Sequence, residues 1–328
     1  MIQRRHLMQL ASASACAWLS PSGAQAAKAP MPDVAKIITG FPPGGTLDVL
    51  ARRVSDRLRG RYAGSVLVEN KPGAGGQIGV LTLKNSPADG TSLLITPSSM
   101  LSIYPYTYPK LQYQVDDVAP VSLGALMDHG LAVGPGTPDS VQTLADLLQW
   151  WRNNPNSANY GSPGAGSMPH LVGVLMSQFS KQEQRHIAYR GTVPGMQDLL
   201  GGQIPAFWGP IGDYLQYTKT GKLRVLAIAG AKRSPFLPQV PTLQELGYPL
   251  KVSEWYGFFM PGKTAGATVQ QANEALRWAL AQADVIDVGK QYGLEVKSST
   301  PAELGDLLKA DAQQWRGLIK QTGFTAES

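Results

Sequence analysis

Ala35-Lys36-Ile37-Ile38-Thr39-Gly40-Phe41-Pro42-Pro43-Gly44-Gly45-Thr46-Leu47-Asp48-Val49-Leu50 decides how this 328-residue chain folds. Ala35 to Thr39 is a short apolar run and reads as a strand. Phe41 to Gly45 is a tight loop rich in proline and glycine. A helix follows, with Leu47, Leu50, Val54 and Leu58 on one face and Arg52, Arg53, Asp56 and Arg57 elsewhere. The pattern then repeats as strand Val66 to Glu69, loop Asn70 to Gly76, helix Ile78 to Lys84 and strand Ser92 to Thr96. Such alternation predicts an α/β fold with mainly parallel sheets flanked by helices.

A second series starts near Gly130-Leu131-Ala132-Val133. Thr143 and Asp146 read as a capping box opening a helix. Gly161 to Ser167 is a second glycine-rich loop, followed by a helix from Pro169 to Phe179. Strands at His186 to Tyr189, Ile204 to Trp208 and Arg224 to Ala229 and a helix at Pro194 to Leu200 complete this series. Trp255 to Met260 is a further strand. The last helix begins with Thr300 as N-cap, Pro301 in the first turn and Glu303 closing a capping box. So many elements fit two lobes better than one large sheet.

Arg4 and Arg5, an apolar stretch from Leu7 to Leu19 and Ala24-Gln25-Ala26 have the layout of an export leader cleaved after Ala26. The apolar run is shorter than the ~20 residues a bilayer span needs. The one cysteine, Cys16, falls inside this leader, where Ala13-Ser14-Ala15 lacks the leucine of a lipidation signal. The exported chain is therefore expected to have no disulfide and no thiolate chemistry. The whole sequence has 29 Lys and Arg against 23 Asp and Glu, two of the former in the leader. The basic residues are dispersed, which argues against nucleic acid and suits small anions.

Two places share one design. Gly44-Gly45-Thr46 and Ser162 to Ser167 each lie between a strand and a helix, where converging backbone N–H groups and a helix N-terminus suit a carboxylate. On composition alone the reading as an ordinary strand–helix turn is slightly favoured for either, since glycine turns are common at such junctions. Asp48 reads as structural, holding its loop by accepting backbone N–H bonds. Gly73 to Gly79 departs from the dinucleotide spacing and reads as a turn. No G-x-S-x-G elbow and no metal-ligand spacing is present, so no cofactor is expected. His170 either touches a ligand or packs locally. Phe207-Trp208 at a strand end suggests an aromatic wall, with Trp208 shaping selectivity.

In these residues the chain resembles the Bug (Bordetella uptake gene) receptors, the substrate-binding proteins of tripartite tricarboxylate transporters. The resemblance rests on an ordered set: Phe41 to Gly45 with Asp48, Val68 to Gly79, Asp89-Gly90, Tyr160-Gly161-Ser162 to His170-Leu171, Tyr189-Arg190-Gly191, Asp198 to Gly202, Leu237-Pro238 to Pro241-Thr242, and Trp255-Tyr256-Gly257. It implies a Venus flytrap in which residues 27–124 and 252–328 form one lobe and 125–251 an inserted second lobe, after a 1–26 signal peptide. It implies a periplasmic monomer that passes a small carboxylate to membrane permease subunits. By position it points to Gly44, Gly45, Thr46, Ser162, Gly164, Gly166 and Ser167 as ligand contacts, with Ser98, Ser99, His170 and Tyr189 beside them. Where the family usually has an acid, near Pro205, this chain is apolar, which favours a non-amino mono- or dicarboxylate, aromatic ones included. Two other readings are an exported α/β enzyme with His170 as base and a ligand sensor without transport.

Overall fold

The computed structural model describes residues 31–326; the expected leader, with Cys16 and the cleavage site after Ala26, lies outside the described residues. The chain begins with β1 (Val34–Thr39), α1 (Thr46–Leu58), β2 (Ser65–Asn70), α2 (Gln77–Lys84) and β3 (Ser92–Pro97). Two short helices, α3 (Ser99–Ser102) and α4 (Tyr104–Thr107), precede the long strand β4 (Val118–Met127). Leu47, Leu50, Val54 and Leu58 of α1 are all buried, so the face read from the sequence is the face that packs.

After Met127 the chain leaves the first sheet and enters the second as β5 (His129–Val133). There follow α5 (Leu144–Asn153), β6 (Asn159–Ser162), α6 (Met168–Ser180), β7 (Arg185–Ala188), α7 (Thr192–Leu200), β8 (Ala206–Pro210), α8 (Leu215–Lys219) and β9 (Arg224–Ile228). The chain then returns to the first sheet through β10 (Glu254–Pro261), α9 (Gly266–Leu280), α10 (Ala283–Gln291), β11 (Leu294–Val296) and α11 (Pro301–Thr322). The two capping boxes form as read: Asp146 N–H donates to Thr143 Oγ1 at 3.1 Å and Glu303 N–H to Thr300 Oγ1 at 3.2 Å.

The six-stranded sheet has the order β11-β4-β10-β3-β1-β2 and the five-stranded sheet β7-β6-β8-β5-β9. Both are mixed rather than mainly parallel. β1, β2 and β3 are parallel, as are β6, β7 and β8, because helical crossovers join them. β10 runs antiparallel to β3 and β4, and β5 antiparallel to β8 and β9. The reversals belong to the strands that carry the chain between the lobes. β4 and β10 lie side by side and pass into the second lobe together, so one must run out while the other runs back.

Candidate functional site

Between the lobes is a cavity of about 50 Å³, walled by residues of both. Gly45 and Thr46 line it from the first lobe, and Gly164 and Ser167 from the second. The two glycine loops thus meet at one place. The lobes touch across it. Gly75, held at φ 61°, has no room for a side chain: a Cβ there would lie 2.5 Å from the Tyr104 hydroxyl and 3.8 Å from Gly164 Cα. Tyr108 Oη donates to the Ala165 carbonyl at 2.8 Å.

Asp48 fastens the first loop. Its carboxylate accepts Gly44 N–H at 3.0 Å, the Arg52 guanidinium at 2.8 and 3.0 Å, and the Asn70 amide at 2.8 Å. Burial works to raise its pKa, but these bonds outweigh burial and hold the carboxyl below its ordinary range. Asp48 is therefore the structural residue the sequence suggested.

The amides expected to grip a ligand carboxylate are partly taken by the protein. Thr46 N–H donates to Asp213 Oδ1 of the second lobe at 3.2 Å, and Thr46 Oγ1 bonds Tyr256 Oη at 2.7 Å. Reciprocally, Met168 N–H at the start of α6 donates to Ser99 Oγ of the first lobe at 3.1 Å. Gly166 N–H donates to His170 Nδ1 at 2.9 Å. Gly45 and Leu47, which also line the cavity, have N–H groups with no partner among the described residues. What remains free at the N-terminus of α1 is a pair of amides and the positive end of the helix dipole.

Of the expected contacts, Gly45, Thr46, Ser99, Gly164 and Ser167 line the cavity. Gly44 lies on a neighbouring cavity of about 380 Å³, which shares Thr192, Val193 and Asp213 with the first. Ser98, Ser162 and Gly166 sit just behind the wall: Ser98 N–H donates to the Trp255 carbonyl at 2.9 Å, and Ser162 Oγ bonds His186 Nε2 at 2.8 Å. Tyr189 faces outward, its hydroxyl on Asp198 Oδ2 at 2.7 Å. Trp208 forms no aromatic wall, because it is 1% exposed and packed inside the core with Trp151 and Tyr160. His170 is buried, stacked on His186 at 3.7 Å and edge-on to Phe324 at 4.6 Å. Burial pushes its pKa down to about 4, and its Nδ1 lone pair is already used, so it lacks both the access and the basicity of a catalytic base.

Three groups in the wall were not read from the sequence. Glu254, at the start of β10, is 3% exposed; its Oε1 accepts Ser99 N–H at 3.2 Å and the Ser99 hydroxyl. Its Oε2 lies 3.2 Å from His129 Nε2. Burial pushes Glu254 up to about 7, and pushes His129 down to about 3. Asp213, partly buried, is likewise raised to about 7 by burial, against the opposing bonds from Thr46 N–H and the Thr192 hydroxyl. The stretch from Ile204 to Trp208 is apolar as read, and Asp213, beyond the end of β8, is an acid that this reading did not include. The clue available was an acidic residue inside otherwise apolar runs, Gly209-Pro210-Ile211-Gly212-Asp213 and Glu254-Trp255-Tyr256.

The family model described as tripartite tricarboxylate transporter family receptor matches residues 50–324. The chain belongs to this receptor family. BugT of Bordetella pertussis is 31% identical to this receptor over 88% of this chain and 89% of its own length. The solved structure of the periplasmic binding protein BugD superposes with a TM-score of 0.83 at 28% identity, covering 91% of this chain and 100% of BugD. MatC from Rhodopseudomonas palustris, solved with bound malate, gives 0.80 at 26% identity, covering 87% and 98%. The receptor is thus a two-lobed α/β periplasmic-type solute-binding protein, not an enzyme. Among the described residues no helix is long and apolar enough to cross a membrane, and no side-chain group has the makings of a metal site.

Proposed function

We propose that this receptor captures a small organic carboxylate between its lobes and delivers it to the membrane permease of a tripartite tricarboxylate-type transporter. The unpartnered Gly45 and Leu47 amides at the N-terminus of α1, lining a cavity between the lobes, carry this reading. Gly45, Thr46, Ser99, Gly164 and Ser167 are the proposed contacts, with Gly44 and Gly166 shaping their loops. Each charge-assisted bond to the carboxylate contributes about 1.5–3 kcal/mol. The small cavity of about 50 Å³ between touching lobes fits a hinge motion that opens them to load and unload the ligand. MatC, a relative of the same fold, was solved with malate, which supports an organic acid as cargo. Export past the inner membrane, with removal of residues 1–26, and action as a monomer complete the proposal.

The test is a thermal-shift screen of the purified protein against small carboxylates. A ligand at 100 times its Kd stabilises the folded state by ~2.7 kcal/mol. The expected result is a saturable shift, with the ligand recovered unchanged by mass spectrometry. Loss of uptake of the same compound in cells lacking this chain checks the transport step. Absence of any shift across the panel would refute the receptor reading.

A further inference from the structure

The cavity wall has an electrostatic imbalance. Asp48, Asp213 and Glu254 line it, yet none of its lining residues is Lys or Arg. Asp48 is already paired with Arg52. Among the described residues Asp213 and Glu254 have no cationic partner: Thr46, Thr192 and Tyr256 face the first, while Ser99 and His129 face the second, with Asp311 farther off. A buried carboxylate without a countercharge is strongly disfavoured.

A second, independent sign comes from His129. The side chain is 2% exposed, it lines the same cavity, and its Nδ1 has no hydrogen-bond partner among the described residues. When Glu254 is ionised, His129 Nε2–H donates to it and Nδ1 is left as a lone-pair acceptor. The Ser99 bonds to Oε1 also favour the ionised form of Glu254. All three groups then lack the same thing, which is a donor carrying positive charge. A ligand with an ammonium group supplies it.

We propose that the cargo is an amino-substituted carboxylate, its ammonium received by Glu254, Asp213 and His129 Nδ1 while its carboxylate takes the free amides of α1. This rests on the receptor reading above and narrows it. It reverses the expectation of a non-amino acid, which was drawn from the apolar stretch at Ile204 to Trp208 and did not include Asp213 or Glu254. A plain dicarboxylate would place a second negative charge beside the two acids and would bind only with uptake of protons.

The test compares pairs that differ only by an ammonium in place of a hydroxyl: alanine with lactate, aspartate with malate, glutamate with 2-hydroxyglutarate, 4-aminobutyrate with 4-hydroxybutyrate. Titration calorimetry at neutral pH is expected to show at least one amino compound bound ~30-fold or more tightly than its partner, the scale of a buried charge pair. Asp213→Asn and Glu254→Gln should each narrow that ratio. Calorimetry of the unaltered protein in two buffers of different ionisation enthalpy gives a readout that needs no variant: the hydroxy acid should take up protons that the amino acid does not. If hydroxy acids or dicarboxylates bind as well as the amino compounds, the ammonium site is overturned while the receptor stands. If no member of the panel binds, both fall.

Discussion

Replacing Glu254 by Gln should stabilise the ligand-free protein, and by an amount that depends on pH in a defined direction. Glu254 is buried and its pKa is pushed from the ordinary 4.5 up to about 7. A carboxyl whose folded pKa is raised holds its proton more firmly in the native state, so it lowers stability as pH rises. The cost is absent below about pH 4.5, grows as pH climbs towards 7, and is complete above it. At ~1.4 kcal/mol for each pKa unit, the full penalty is about 3 kcal/mol. Between about pH 5 and about pH 8.5 most of it, about 2–3 kcal/mol, should develop.

Gln keeps the shape of the site. Its Oε1 can still accept the Ser99 N–H and hydroxyl, and its amide can donate to His129 Nε2. His129 stays neutral in both proteins and drops out of the difference. The assay is urea unfolding of wild type and Glu254→Gln at the two pH values, read as the change in midpoint. The variant should gain markedly on wild type at the alkaline pH and little at the acid one. A stability difference that does not change with pH would mean that Glu254 is not held as a strained, buried acid, and the reasoning about the cleft would lose its main support.

Other consequences follow from neighbouring geometry. Asp48→Ala strands the Gly44 N–H, Arg52 and Asn70 donors and should cost about 2–4 kcal/mol in urea unfolding, with ligand affinity falling as the loop loosens. Gly75→Val forces a branched side chain into a left-handed backbone against Tyr104 and Gly164. Small-angle scattering should then show a protein that no longer contracts when ligand is added. Trp208→Ala should destabilise by about 3–5 kcal/mol as an ordinary core truncation. Its ligand preference, measured on the folded fraction, should be that of wild type; a changed preference would restore the aromatic wall.

Much of the scaffold was legible because its signals are local. The apolar face of α1, the capping boxes at Thr143 and Thr300 and the fastening role of Asp48 depend on residues within a few positions of one another. Strand direction was not legible, since β4 and β10 reverse only to pass between two lobes. Trp208 misled for a related reason: a strand end in an open sheet suggests a ligand, but this side chain is packed into the core with Trp151 of α5 and Leu171 of α6. Glu254 and Asp213 lie far from Ser99 and Thr46 in sequence: pairing of β10 with β3 sets Glu254 beside Ser99 within the first lobe, and contact between the lobes sets Asp213 on Thr46. Acids stranded in apolar runs were the trace they left.

The charge of the whole chain and the charge of its cleft point in opposite directions, and that difference bears on selection. A net +6, or +4 once Arg4 and Arg5 leave with residues 1–26, with the basic residues dispersed, attracts anions from solution at long range. Inside, the wall has acids and no Lys or Arg, and Thr46 N–H, the amide best placed for an incoming carboxylate, already holds Asp213. A simple anion drawn to the surface must therefore displace the protein's own carboxylate to be held at that point. A ligand carrying both charges meets no such competition, because its ammonium gives Asp213 a partner while its carboxylate uses the amides that remain. Closure then rewards the zwitterion twice, at the helix end and at the buried acids, and rewards the plain anion once at most. Selectivity would come from unpaired charge left in the wall rather than from the shape of the cavity.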